Sequence, residues 1–148
     1  MSLREYIFYI NIKGRVPLLK FKRLGINCGF TIGYNSLGYG AIIQHYGTIV
    51  VGNTKKLGNY SVLKTYTYIS GNDKTIGYSF YLATGAKVTS ECTIGDNVSV
   101  EANSFVTKDF PQENVLIGGV QAKVIKESLP WYNRDGVESQ RRHKEVEQ

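Results

Sequence analysis

The sequence predicts a mainly β fold in which the chain winds as a three-sided parallel β-helix. Aliphatic residues recur at nearly constant steps of six, and the residue after each of them is often small or glycine. An α-helix of about 3.6 residues per turn cannot keep a six-residue register, whereas a short strand and a corner repeated in one direction can. Three such units form a coil, and coils stacked about 4.8 Å apart bury a continuous aliphatic column. The recurring residues are Leu37, Ile43, Val51, Leu57, Leu63, Ile69, Ile76, Leu82, Val88, Ile94, Val100 and Val106.

Segments without the repeat flank this region. Pro17 is expected to start the second of two short helices at the amino end. In the polar tail, Trp131 and Tyr132 are expected to pack against the solenoid, and His143 lies in a charged run where solvation is expected. We therefore predict an N-terminal helical segment over residues 1–25, the β-helix over residues 26–127 and a C-terminal tail with a short helix over residues 128–148.

Composition indicates a single cytoplasmic domain. The 148 residues and 42% hydrophobic content suit one globular core. No stretch is long enough to span a bilayer, and the apolar run near the start follows Glu5 and lacks a small-residue cleavage site. Cys28 and Cys92 have no metal-ligand spacing, which favours a reducing compartment, and Cys92 fits the repeat as an interior filler.

The six-residue rhythm slips in two places. The step from Ile43 to Val51 is eight residues, and the step from Ile69 to Ile76 is seven. Stacked strands cannot absorb extra residues, so these must leave the coil as bulges. The longer interval contains His45, and a loop that projects an imidazole from a rigid scaffold is typical of catalytic and binding groups. The alternative is that His45 only caps a corner.

The repeat also predicts which side chains stack near His45. The hexads that begin at Ile43, Leu63, Leu82 and Val100 fall on the same face of successive coils. Small side chains beneath an imidazole would leave backbone amides accessible along a groove. The third residues of these hexads form the column His45, Thr65, Thr84 and Ala102, and the second residues form the column Gln44, Lys64, Ala83 and Glu101.

The charge is uneven along the chain. The net charge is +6, and no acidic residue occurs from Tyr6 to Asn72. This half should attract anions. No helix-turn-helix, zinc or RNP signature is present, so a phosphate-bearing small molecule is favoured over nucleic acid as the partner. A solvated basic face is the simpler alternative.

Four segments together resemble the hexapeptide-repeat acyltransferases, and within them the serine acetyltransferase-like branch, which includes small enzymes of bacterial capsule and polysaccharide loci. The resemblance covers roughly residues 26–127. The segments are HYGTIVVG (45–52), ATGAKV (83–88), IGDNVSVEANSFVTKDFP (94–111) and GGVQAKVIK (118–126).

This resemblance implies a left-handed β-helix, which the spacing alone does not. It implies a homotrimer with acetyl-coenzyme A bound between subunits, and no metal. His45 aligns with the family's general base, a role that histidine suits because it titrates near neutral pH. The resemblance places the cosubstrate's pantetheine arm along Ala83, Thr84 and Ala102, and its phosphates near Lys108 and Lys123.

Several residues depart from the family pattern, among them Gln121 where a proline is usual, and three of them lie near His45. Gln44 stands where serine acetyltransferases place an aspartate before the histidine, Lys64 replaces a histidine and Tyr66 replaces a glycine. Glu101 shares the Gln44 column but lies three coils away, about 14 Å at the usual strand spacing, so a carboxylate–histidine dyad within one subunit is not expected. We assign these three residues to acceptor binding or orientation.

The function predicted from the sequence is an acetyl-coenzyme A-dependent O-acetyltransferase acting on a sugar hydroxyl in surface-polysaccharide synthesis, or on serine. The alternative is a noncatalytic scaffold or partner-binding module of the same fold. Approach of the basic first segment to a membrane-bound glycan carrier stays open. A carbonic anhydrase-like zinc site is disfavoured because it needs three histidines, and the chain has two.

Overall fold

The computed structural model describes residues 15–52, 57–71, 74–89, 91–134, 136, 140, 141 and 144, and it shows the predicted β-solenoid. The helix expected before Arg15, and His143, lie outside the described residues. The helices described without a gap are α1 (Arg15–Cys28) and α2 (Trp131–Arg134). The strands are β1 (Phe30–Ile32), β2 (Ile42–Ile43), β3 (Ile49–Val51), β4 (Val62–Leu63), β5 (Thr67–Ile69), β6 (Thr75–Ile76), β7 (Tyr81–Leu82), β8 (Lys87–Val88), β9 (Thr93–Ile94), β10 (Ser99–Val100), β11 (Phe105–Val106), β12 (Val115–Gly118) and β13 (Lys123–Glu127).

The strands form three faces of a prism. The six-stranded face has the order β13-β12-β10-β7-β4-β2, the five-stranded face has the order β1-β3-β5-β8-β11, and the two-stranded face pairs β6 with β9. Each coil crosses the six-stranded face, then the five-stranded face, then the remaining side. All pairs are parallel except β12 with β13, which is antiparallel. The chain therefore advances one strand spacing per coil until the hairpin ends the stack.

The core is the aliphatic column that the repeat predicts. All its residues belong to one buried cluster, and none is more than 4% exposed. Ala86, Cys92 and Val98 fill the same interior, which confirms Cys92 as a packing residue. Burying each Val, Leu or Ile side chain contributes about 1.5–3 kcal/mol, so the stack is stabilised coil by coil.

Close backbone packing explains the glycine that follows many aliphatic residues. A Cβ atom on Gly38 would lie 2.6 Å from the carbonyl oxygen of Gly58, and a Cβ on Gly58 would overlap the carbonyl of Gly77 in the next coil. No side chain fits at such distances. The glycines thus let the corners of successive coils stack directly.

Helix α1 covers one end of the stack. Pro17 lies in its first turn, where a missing N–H costs no intrahelical bond. Phe21 packs into the core cluster and is 5% exposed. The helix ends at Cys28, and the next residue, Gly29, has φ 78° and donates its N–H to the carbonyl of Ile26 at 3.3 Å. Neither described helix has the length and apolar character that a membrane crossing requires.

Helix α2 fixes the tail to the outside of the six-stranded face. The Trp131 indole N–H donates to the carbonyl oxygen of Tyr60 at 3.0 Å, and its ring is buried against Val62. Tyr132 meets Trp131 edge to face, with ring centroids 5.6 Å apart. The predicted attachment of the tail through these two aromatic residues is confirmed.

Candidate active site

The strand register confirms the predicted stacking. Ile43 pairs with Leu63, Leu63 with Leu82, and Leu82 with Val100. The first and second residues after these partners therefore lie above one another. His45, Thr84 and Ala102 are exposed along this corner, and Thr65 is half-buried.

The corner that carries His45 is longer than the corner stacked against it. Residues 44–48 connect β2 to β3, whereas residues 64–66 connect β4 to β5 in the next coil. The flanking strands keep their pairing, since Ile49 pairs with Thr67. The two additional residues are therefore displaced from the wall, as the sequence slip predicts.

A hydrogen bond anchors this loop to helix α1. The N–H of Gly47 donates to the carbonyl oxygen of Cys28, the last helical residue, at 3.0 Å. Gly47 has φ 132°, which favours glycine. His45 and Tyr46, just before it, are both exposed. The loop is held at its base while its imidazole faces outward.

Backbone donors line the corner below the imidazole. Gly85 donates its N–H to the carbonyl of Thr65 at 3.0 Å, and Asn103 donates to the carbonyl of Thr84 at 2.9 Å. These bonds join the coils but use only one residue of each corner. Within the described part of the chain, no acceptor takes the N–H groups of His45, Thr65, Thr84 and Ala102.

A row of such donors suits a cosubstrate whose arm carries amide carbonyls. Water satisfies exposed backbone amides, so a ligand that replaces that water must offer acceptors of its own. The pantetheine arm of coenzyme A has two amide groups and meets this requirement. The residues present therefore fit the cosubstrate that the sequence implies.

Gln44 and Lys64 meet as the stacking predicts. The Lys64 ammonium donates to the amide oxygen Oε1 of Gln44. The NH₂ group of the Gln44 amide takes no part in this bond. Ala83 continues the same column and is half-buried, and Glu101 follows it at an exposed position.

Tyr66 occupies the tip of the corner between β4 and β5. It has φ 58°, a conformation that disfavours most side chains, and 62% of its surface is exposed. It therefore lies next to Thr65 in the groove-lining column, which places it at the predicted site.

The two lysines predicted near the cosubstrate phosphates occupy different places. Lys123 begins β13 and pairs with Gly118, which follows Glu101 in the Gln44 column, so it lies at the far end of that column. Lys108 follows β11 and lies at the next corner of the prism, with its Nζ 5.6 Å from the ring centroid of Phe110. Lys123, but not Lys108, therefore lies in line with the Gln44 column.

No metal site is evident in the part of the chain that the structure describes. His, Cys, Asp and Glu side chains form no group of three or more that could hold an ion there. Cys92 is 4% exposed, and burial raises the pKa of its thiol. This thiol is a packing group.

Sequence reasoning missed one group of residues beside the site. The Arg134 guanidinium donates to Ser99 Oγ at 3.1 Å and lies over the Tyr81 ring, with its Cζ atom 4.8 Å from the centroid. The strand repeat could have indicated that Tyr81 and Ser99 are neighbours. Nothing in the repeat places Arg134, because it belongs to the tail.

Comparisons with known proteins agree with this geometry. No protein-family model matches the chain. It is 31% identical over 108 residues to the serine acetyltransferase of Bacillus pumilus, in an alignment covering 68% of this chain and 49% of that protein. It is 30% identical over 99 residues to the serine acetyltransferase of Synechococcus elongatus, covering 62% of this chain and 40% of that protein.

A solved structure shows the same likeness in three dimensions. The serine acetyltransferase of Neisseria gonorrhoeae, solved in complex with serine, aligns with a TM-score of 0.63 and 28% sequence identity. The alignment covers 76% of this chain and 50% of that one. The chain thus spans half the length, or less, of each of these three relatives.

Proposed function

The chain is a left-handed hexapeptide-repeat β-helix of the serine acetyltransferase-like family, and from this premise we propose that it is an acetyl-coenzyme A-dependent O-acetyltransferase. Its acceptor is a hydroxyl of a sugar or of serine. The observation that carries the proposal is the two-residue excess that displaces His45 from the wall, above a column of backbone N–H groups from which no described residue accepts a hydrogen bond.

His45 acts as the general base in this proposal. A hydroxyl is a poor nucleophile because it holds its proton tightly, so a base must accept the proton as the oxygen attacks. Acetyl-coenzyme A supplies the electrophilic thioester carbonyl. The exposed imidazole accepts the proton, and backbone N–H groups of the corner stabilise the oxyanion that develops. As the C–S bond breaks, the imidazolium returns the proton to the departing sulfur, which releases free coenzyme A.

Gln44 and Lys64 position the acceptor rather than react. Because the Lys64 ammonium donates to Oε1 of Gln44, the NH₂ group is the part of this amide that we assign to binding the acceptor. Tyr66 limits the space at the neighbouring corner. None of these residues supplies the carboxylate that serine acetyltransferases place before the histidine, so the imidazole works here without that partner in its own coil.

The proposal includes a homotrimer with the groove between subunits. Lys123 lies at the end of the Gln44 column, where it would meet the phosphate end of the cosubstrate. Lys108 lies at another corner of the same subunit, so it serves this role through the groove of a neighbouring copy. Sedimentation analysis of the purified protein tests the trimer.

The test of the function is release of coenzyme A from acetyl-coenzyme A in the presence of serine and of nucleotide-linked, lipid-linked and free sugars. Turnover with one acceptor class that is lost in His45→Ala supports the proposal. His143→Ala, which removes the other histidine of the chain, is the control and should keep full turnover. Equal turnover by wild type and His45→Ala would remove the imidazole from the mechanism, and no turnover with any acceptor would favour the noncatalytic scaffold.

A further inference from the structure

Two cations flank an aromatic ring on the outer surface of the six-stranded face, beside the Gln44 column. We propose that Lys64, Tyr81 and Arg134 form a subsite for a negatively charged group on the acceptor, and that the acceptor is an elongated sugar compound carrying phosphate or carboxylate groups. This inference rests on the proposed function, because it assigns the acceptor of the same site.

The strand register relates the two cations to the coils before and after Tyr81. Tyr81 pairs with Val62 in the preceding coil and with Ser99 in the following coil. Lys64 lies two residues after Val62, and its Nζ atom is 5.6 Å from the centroid of the Tyr81 ring. Arg134 binds Ser99 and has its Cζ atom 4.8 Å from the same centroid. Both cations are therefore within range of a cation–π interaction with the Tyr81 ring.

Neighbouring contacts fix each cation in place. Lys64 is half-buried and bound to Gln44, an uncharged partner. Arg134 ends helix α2, which the buried Trp131 ties to the carbonyl of Tyr60. Cations held in position before binding lose little conformational entropy when an anion arrives. A guanidinium is also suited to two-point contact with phosphate or carboxylate.

The acidic residue of the Gln44 column, Glu101, lies toward the hairpin end of the stack, away from Lys64. Glu101 lies two coils beyond Lys64, and its carboxylate oxygen Oε2 lies beside Gly118, toward the hairpin. Lys64 forms no ion pair with a carboxylate of the described residues. Lys64 therefore adds a positive charge to the surface that runs from His45 toward Arg134, and this charge favours an anionic ligand.

The spacing defines the length of the acceptor. Ser99, which binds Arg134, lies three coils from Ile42 on the same face, or about 14 Å along the axis at the usual strand spacing. A hydroxyl at His45 and an anionic group at Arg134 thus belong to a molecule longer than serine. Sugars linked to a diphosphate and acidic oligosaccharides both have this length and charge.

The experiment measures direct binding and turnover with three probes: a nucleoside-diphosphate sugar, an acidic oligosaccharide and a neutral oligosaccharide of equal length. Arg134→Gln and Lys64→Gln are compared with Arg23→Gln, an exposed arginine on α1 that serves as the matched control. We expect each subsite variant to weaken calorimetric binding of one anionic probe about tenfold, which corresponds to one charge-assisted hydrogen bond. The neutral probe and the control variant should show no change.

The anionic probe that responds identifies the source of the charge. Binding by the wild type should also weaken with added salt, a readout that needs no variant if Arg134→Gln fails to fold. The inference is overturned if neither anionic probe binds, if neutral and anionic probes respond alike, or if only the KM for acetyl-coenzyme A rises. Anion binding that depends on Arg134 in a protein without turnover would instead overturn the proposed function and leave the subsite in place.

Discussion

The corner after β2 and the corner after β4 are stacked one coil apart, and they differ by two residues. The shorter corner, residues 64–66, continues the wall of the prism, whereas the longer corner, residues 44–48, leaves it. The strands on both sides keep the same register. A solenoid can therefore gain a functional group by a small insertion at one corner, because the cost of the longer loop is local and the stacked core does not change.

Shortening the longer corner should have the largest effect on activity. Deleting Tyr46 and Gly47 makes the corner as long as residues 64–66 and draws His45 back toward the wall. We expect turnover to fall at least about 100-fold, as for loss of a general base, while the β-helix stays folded. Acetyl transfer assays together with far-ultraviolet circular dichroism measure both effects. Deletion variants that keep wild-type turnover would show that the loop length is incidental.

Adding a methyl group at a corner of regular length should lower the stability of the fold, whereas shortening the His45 corner should lower turnover. Gly58→Ala forces a Cβ into the carbonyl of Gly77, so we expect the free energy of unfolding in urea to drop by about 3 kcal/mol or more. Gly52→Ala is the control, because its Cβ would lie 3.4 Å from the nearest atom and should cost under about 1 kcal/mol. Equal losses in the two variants would contradict direct stacking of the corners.

Removing the side chain that holds the tail should show whether α2 and the coils open independently. Trp131→Ala removes a buried ring and its hydrogen bond to Tyr60. We expect the free energy that holds α2 against the coils to decrease by about 2–4 kcal/mol, with the coils themselves unaffected. Hydrogen exchange should show faster exchange in α2 with the coils still protected. Leu129→Ala, at a side chain that is 66% exposed, should leave exchange unchanged. Faster exchange throughout the coils would show that the tail is part of the same folding unit.

The smallest effect concerns pH. Burial raises the pKa of Cys92 above its ordinary value of 9.0, against a smaller lowering by Lys74, and Asp109 adds the smallest contribution, which also raises the pKa. The folded state therefore keeps this proton when the unfolded chain loses it, so stability is full below about pH 9 and decreases as pH rises further. Unfolding free energies at pH 8 and pH 10 should differ more for the wild type than for Cys92→Ala, by under about 1.4 kcal/mol. An equal difference in both proteins would contradict the assignment.

The repeat made the coils and their columns predictable from the sequence. A constant six-residue step determines which residues pair, so the neighbours of His45 and the contact between Gln44 and Lys64 followed from counting. The hand of the coil could not be predicted from the repeat, because a six-residue period is compatible with either hand. The position of Arg134 did not follow either, because a tail outside the repeat is located by aromatic packing and not by register.

The closed ends of the stack have one more consequence. Helix α1 covers one end, and the antiparallel β12–β13 hairpin covers the other, so no further coil can be added at either. From Ile43 to Ile117 the groove extends over four strand spacings, about 19 Å. Under the proposed function, the number of coils therefore sets the greatest length of an extended arm that lies along the groove with its reactive end at His45.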